Sequence, residues 1–88
     1  MPIISAQVSL YPLRQVDLGP AIRDAVRTFR DYELETLVGA MSTIVWGEES
    51  KVFAALQAAF RRAAEQGDVV MVVTFSNACP RPKGALDA

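Results

Sequence analysis

Leu34-Glu35-Thr36-Leu37-Val38-Gly39-Ala40-Met41-Ser42-Thr43-Ile44-Val45-Trp46-Gly47 is the stretch on which the fold turns. The β-branched and apolar residues from Leu34 through Val38 favour a strand, Gly39 breaks it, and Ser42 to Trp46 make another. The gap between the two is too short for a helix. The chain therefore turns back in an antiparallel hairpin or bends through a bulge at Gly39-Ala40. What flanks this pair of strands decides the architecture.

On the N-terminal side, Asp31-Tyr32-Glu33 connects the pair to a helix expected to end near Arg30. Leu18, Ile22, Ala25, Val26 and Phe29 recur at helical spacing, with Arg23, Asp24, Arg27 and Arg30 opposite, and Pro20 suits the first turn. Ahead of it, Ile4, Ala6, Val8 and Leu10 alternate with Ser5, Gln7, Ser9 and Tyr11. This is the period of a half-buried strand, which Pro12 closes. On the C-terminal side, Gly47 ends the strand pair, and Glu48, Glu49 and Ser50 suit the positive end of a second helix. Phe53, Leu56, Phe60 and Ala63 or Ala64 are its expected apolar stripe, and Gly67 its stop. Asp68 to Asn77 is the last strand, with Val69, Met71, Val73 and Phe75 on one side and Val70, Val72, Thr74 and Ser76 on the other. Its first half is apolar on both faces and calls for cover on both.

The order is strand, helix, strand, strand, helix, strand, the split βαβ or ferredoxin-like arrangement of the α+β class. Right-handed crossovers put both helices on one face of a four-stranded antiparallel sheet. The other face, carrying Val70 and Val72 beside Tyr11, then has no cover within one chain. That predicts a homo-oligomer, dimer or tetramer, joined through its sheet faces. One domain over 1–80 is expected, followed by a fraying tail over 81–88.

Composition narrows the function. The 88 residues suffice for one core, and 51% apolar against 22% charged residues is a globular balance. Nine Lys and Arg against ten Asp and Glu give a net charge of −1, so neither nucleic acid nor an anionic membrane is an expected partner. One cysteine and no histidine leave no internal disulfide and remove the commonest metal ligand and general base. A reducing, cytoplasmic setting fits. The opening Met1 to Gln7 has neither the basic region and apolar run of a secretory signal nor a membrane span. Cys79 has no histidine to activate it, and no metal set or Gly-rich phosphate loop is present. The chain is not expected to be an enzyme, nor to need a cofactor.

Three patterns together resemble the thiamine-binding, YkoF-like family over about residues 3 to 79. They are the first strand from Ile4 to Leu13, the segment Gly39-Ala40-Met41-Ser42-Thr43 followed by Gly47, and the ending from Gly67-Asp68-Val69-Val70 to Ser76-Asn77. The resemblance implies a ferredoxin-like domain that assembles through its sheets and binds thiamine, or its hydroxymethylpyrimidine half, without turning it over. Two positions depart from the family pattern. Trp46 stands where an acidic residue is usual, and Asp31-Tyr32-Glu33 replaces a turn that usually holds a glycine.

An aminopyrimidine asks for hydrogen-bonding groups opposite its ring edge and a flat apolar wall, and a thiazolium asks for a carboxylate or an aromatic face. The candidate ligand-binding residues are Gln7, Ser9, Tyr11, Ser42, Thr43, Trp46 and Asn77. Ser42 and Thr43 either present hydroxyls to a ring or stabilise their own turn. Gln7 and Ser9, on the non-helix side of a central strand, serve a pocket or a polar subunit contact. Tyr11 is a stacking wall or interface packing, Trp46 a cation-stacking surface or core, and Asn77 a ligand contact or a strand terminator. Glu48 and Glu49 are read as helix-dipole partners and Arg61-Arg62 as a solvated face. No lysine or arginine cluster lies near the proposed pocket in the linear order, which favours an unphosphorylated ligand. Two other classes share this element order: an ACT-like amino-acid-sensing module, and a structural protein whose polar row is a subunit contact only. An RNA-binding domain is disfavoured because paired exposed aromatics flanked by basic residues are missing.

Overall fold

The computed structural model describes residues 2–78, which fold as β1 (Ile3–Pro12), α1 (Gly19–Asp31), β2 (Glu35–Val38), β3 (Thr43–Glu48), α2 (Glu49–Ala64) and β4 (Val69–Ser76). The four strands form one antiparallel sheet in the order β2-β3-β1-β4. This is the ferredoxin-like βαββαβ fold, with Cα radius of gyration 12.7 Å. The expected tail over 81–88 and Cys79 lie outside the described residues.

Pairing fixes the faces. Ile4, Ala6 and Val8 of β1 stand opposite Gly47, Val45 and Thr43 of β3, and Ala6, Val8 and Leu10 stand opposite Phe75, Val73 and Met71 of β4. This row meets the helices: Ala6 and Val45 from the sheet, Phe29 from α1 and Val52, Ala55 and Ala59 from α2 form the centre of the core, each at most 2% exposed. Between β2 and β3 the chain makes the hairpin, with Val38 paired to Thr43 and the Gly39 amide donating to the Ser42 carbonyl at 2.8 Å.

The turn after α1 shows how a missing glycine is replaced. The Leu34 amide donates to the Phe29 carbonyl and the Glu33 amide to the Arg30 carbonyl, the hydrogen-bond pattern of a Schellman cap. The residue at the left-handed position is Glu33, with φ 64°. Lys51 of α2 binds its carboxylate at 2.7 Å, and Leu34 drops into the core at 4% exposure. Gly47 matters for the same corner, because a Cβ there would meet the Leu34 side chain at 2.8 Å.

Two expectations about burial are corrected. The apolar stripe of α2 is Val52, Ala55, Leu56 and Ala59, whereas Phe53 and Phe60 are 50% and 42% exposed. The true stripe is rotated by one residue, since small side chains let the helix sit close to the sheet. Phe53 instead stacks on Phe75, with centroids 4.7 Å apart, over the margin of β4. Leu18, expected on the α1 stripe, is the N-cap residue and is exposed.

Candidate functional site

Beneath α1, where the β2–β3 hairpin closes one end of the sheet, lies a cleft of about 90 Å³. Its walls are apolar: Val8 and Leu10 from β1, Ile22, Ala25 and Phe29 from α1, and Met71 from β4. The hairpin supplies the rim through Val38, Gly39, Ala40, Met41, Ser42 and Thr43. Met41 is 90% exposed, a large apolar side chain held out at the mouth. Thr43 stands on the helix-facing side between Val8 and Val38 and is 8% exposed. Its hydroxyl has no hydrogen-bond partner among the described residues, so the polar rim offers an uncommitted group. The cleft is well below the roughly 300–1,000 Å³ of complete small-molecule sites and suits a single ring.

Three of the seven candidate residues, Ser9, Ser42 and Thr43, line this cleft. Gln7 joins them indirectly, its Nε2 donating to Ser42 Oγ at 3.0 Å. Gln7 is exposed on the open face, the side of the central strand on which the alternation placed it. Tyr11 extends the same face, 48% exposed beside Val70. Trp46 and Asn77 are not brought to the cleft. Trp46 pairs with Ser5, and Asn77 follows Ser76, which also pairs with Ser5. Ser5 is four residues from Ser9 along β1, about 13 Å at strand rise. Trp46 is also not on an exposed surface: it is 4% exposed on the face away from the helices, and its Nε1–H has no hydrogen-bond partner among the described residues.

Sequence reasoning assigned Phe29, Ala25 and Ile22 to the core alone, and a helical stripe gives no sign that its hairpin-side end lines a cleft. The family of the chain follows from the match of a family model, the YKOF-related family, over residues 3–82. The chain belongs to the YKOF-related family. Among solved structures, a hypothetical protein of Methanocaldococcus jannaschii is similar with TM-score 0.82 and 21% identity, over 99% of this chain and 91% of that one. A Streptococcus pneumoniae protein gives 0.76 and 20% over 97% and 93%. A Thermotoga maritima protein, provisionally assigned to thiamine biosynthesis or salvage, gives 0.75 and 16% over 85% and 83%. At these identities the structures share the fold with this member of the family. No curated protein matches the chain.

No charged residue lines the cleft among the described residues. Arg62 of α2 donates two hydrogen bonds to Asp24 of α1, at 2.7 and 2.8 Å, and holds the Asp24 carboxyl below its usual range. The three arginines of α1, Arg23, Arg27 and Arg30, line a groove along the outer flank of the helix. No three His, Cys, Asp or Glu side chains come together as a metal site among the described residues. No helix among the described residues is long and apolar enough to cross a membrane.

Proposed function

We propose that the chain is a non-catalytic, cytoplasmic binding protein for thiamine or its hydroxymethylpyrimidine half, serving as carrier, buffer or sensor. The observation that carries this reading is the cleft beneath α1, ring-sized and apolar, with the unpartnered Thr43 hydroxyl at its rim. An aromatic pyrimidine gains from burial against Phe29, Leu10 and Met71, while Thr43 donates to or accepts from its edge. Family membership and the Thermotoga maritima neighbour support the choice of ligand class.

Assembly belongs to the same reading. On the open face Tyr11, Val70 and Val72 are 48%, 45% and 54% exposed. A second copy laid sheet to sheet covers them, and the polar row of Gln7, Ser9 and Ser42 then borders both the cleft and the subunit contact.

Isothermal titration with thiamine and with hydroxymethylpyrimidine, alongside a size measurement, tests the proposal. Saturable heat near one ligand per chain or per subunit pair is expected. In Thr43→Val, which keeps shape and loses the hydroxyl, binding weakens at least tenfold with Tm retained. No heat with either ligand, from folded protein, overturns the reading.

A further inference from the structure

The ring-sized cleft has a neighbouring depression on its α1 side. Ile22 and Val38 line it and also line a second depression, an open groove of about 540 Å³ along the outer flank of α1. Three arginines, Arg23, Arg27 and Arg30, line that groove with Val26 and Asp31. Their spacing of four and three residues places them in one row on the helix. The sequence sets these residues on the polar side of α1, away from any site; the hairpin brings Val38 against that flank, where it and Ile22 line both depressions.

The row is short of counter-charge. Asp24 on the same helix is taken up by the two hydrogen bonds from Arg62 and reaches Arg27 only at 3.9 Å. Arg23 and Arg30 make no ion pair among the described residues. Asp31 is the one carboxylate lining the groove, and Asp17 lies near the Arg23 guanidinium beside Gly19, so positive charge outnumbers negative along the row. Guanidinium groups are the side chains best matched to phosphate oxygens, through paired N–H donors.

We propose that this groove is a phosphate subsite contiguous with the ring cleft, and that the ligand of this protein is a phosphate ester of the heteroaromatic compound rather than the free alcohol. The inference rests on the function proposed above. The ring occupies the cleft under Phe29 and Thr43, and the phosphate lies past Ile22 and Val38 among Arg23, Arg27 and Arg30. The arrangement also explains why a ring-sized cleft suffices: the remainder of the ligand lies in the open groove.

Titration of the full chain with thiamine and thiamine monophosphate, and with hydroxymethylpyrimidine and its phosphate, tests this at low and high salt. The phosphate esters are expected to bind at least tenfold tighter at low salt, with the preference shrinking as salt rises and inorganic pyrophosphate competing. In Arg27→Gln/Arg30→Gln the ratio of ester to alcohol affinity falls toward one. Should that variant not fold, the milder Arg30→Gln and the wild-type salt series read the same quantity. Equal affinities for ester and alcohol overturn the phosphate subsite and leave the binding function standing. A preference that survives the double variant overturns the assignment to these arginines. Absence of binding by all four compounds overturns the function, and the subsite with it.

Discussion

The Gln7 side-chain amide of β1 donates to the hydroxyl of Ser42, in the hairpin turn just ahead of β3, at 3.0 Å. The bond ties the middle of the first strand to the hairpin that rims the cleft. It is exposed, so its net worth is small. Ser42→Ala is expected to cost about 0.5–1 kcal/mol, read by urea unfolding. A loss of several kcal/mol would place Ser42 in the core instead.

Self-association through the open face predicts a sharp response at Val72. This side chain is 54% exposed in one chain and stands opposite Ser9 of the polar row. Val72→Asp is expected to leave the unfolding midpoint of the separate subunit nearly unchanged while shifting light-scattering mass to that of a monomer. An unchanged oligomer would put the contact elsewhere.

The left-handed turn at Glu33 sets local strain against an exposed ion pair. Glycine accepts a φ of 64° without the clash that a Cβ brings, but Glu33→Gly also gives up the Lys51 contact. Glu33→Ala gives up the contact and keeps the strain. The expected order of Tm is therefore glycine above alanine, by roughly a few degrees. Near 1 M salt, where exposed pairs are screened, the glycine variant should exceed wild type.

Arg62 gives the helix pair a defined acid response. Its hydrogen bonds, and secondarily its charge, lower the pKa of Asp24 in the folded state. A carboxylate depressed on folding contributes stability that is complete above its unfolded pKa and is lost as pH falls through the folded value. Asp24→Asn should lower Tm by roughly a few degrees at neutral pH, and the gap to wild type should close on acidification below about pH 4. Thermal melts of both proteins across that range measure it, and a constant gap would refute the assignment.

Some of this protein was legible one element at a time. The alternation from Ile4 to Tyr11, Pro20 in the first turn of α1, and the strands either side of Gly39 are local signals, and each maps to an element where expected. The stripe of α2 misled because Phe53 and Phe60 are larger and more apolar than Ala55 and Ala59. Hydrophobicity ranks side chains, whereas contact distance selects those that fit between helix and sheet. Of the two readings of Trp46, cation-stacking surface or core, its burial selects the second, which strand periodicity could not do because it gives the face of a residue but not whether that residue is covered.

The sequence by itself determined the order of elements and hence the fold, because helix and strand periods are written in neighbours a few residues apart. It also supplied the hydroxyls Ser42 and Thr43. Only the tertiary structure decided which candidates meet: Ser9, Ser42 and Thr43 at the cleft, Trp46 and Asn77 at the other end of the sheet. It alone set Arg23, Arg27 and Arg30 beside that cleft, through Ile22 and Val38. These are proximities between residues remote in the chain, fixed by strand register and the packing of α1 on the sheet, and no local pattern encodes them.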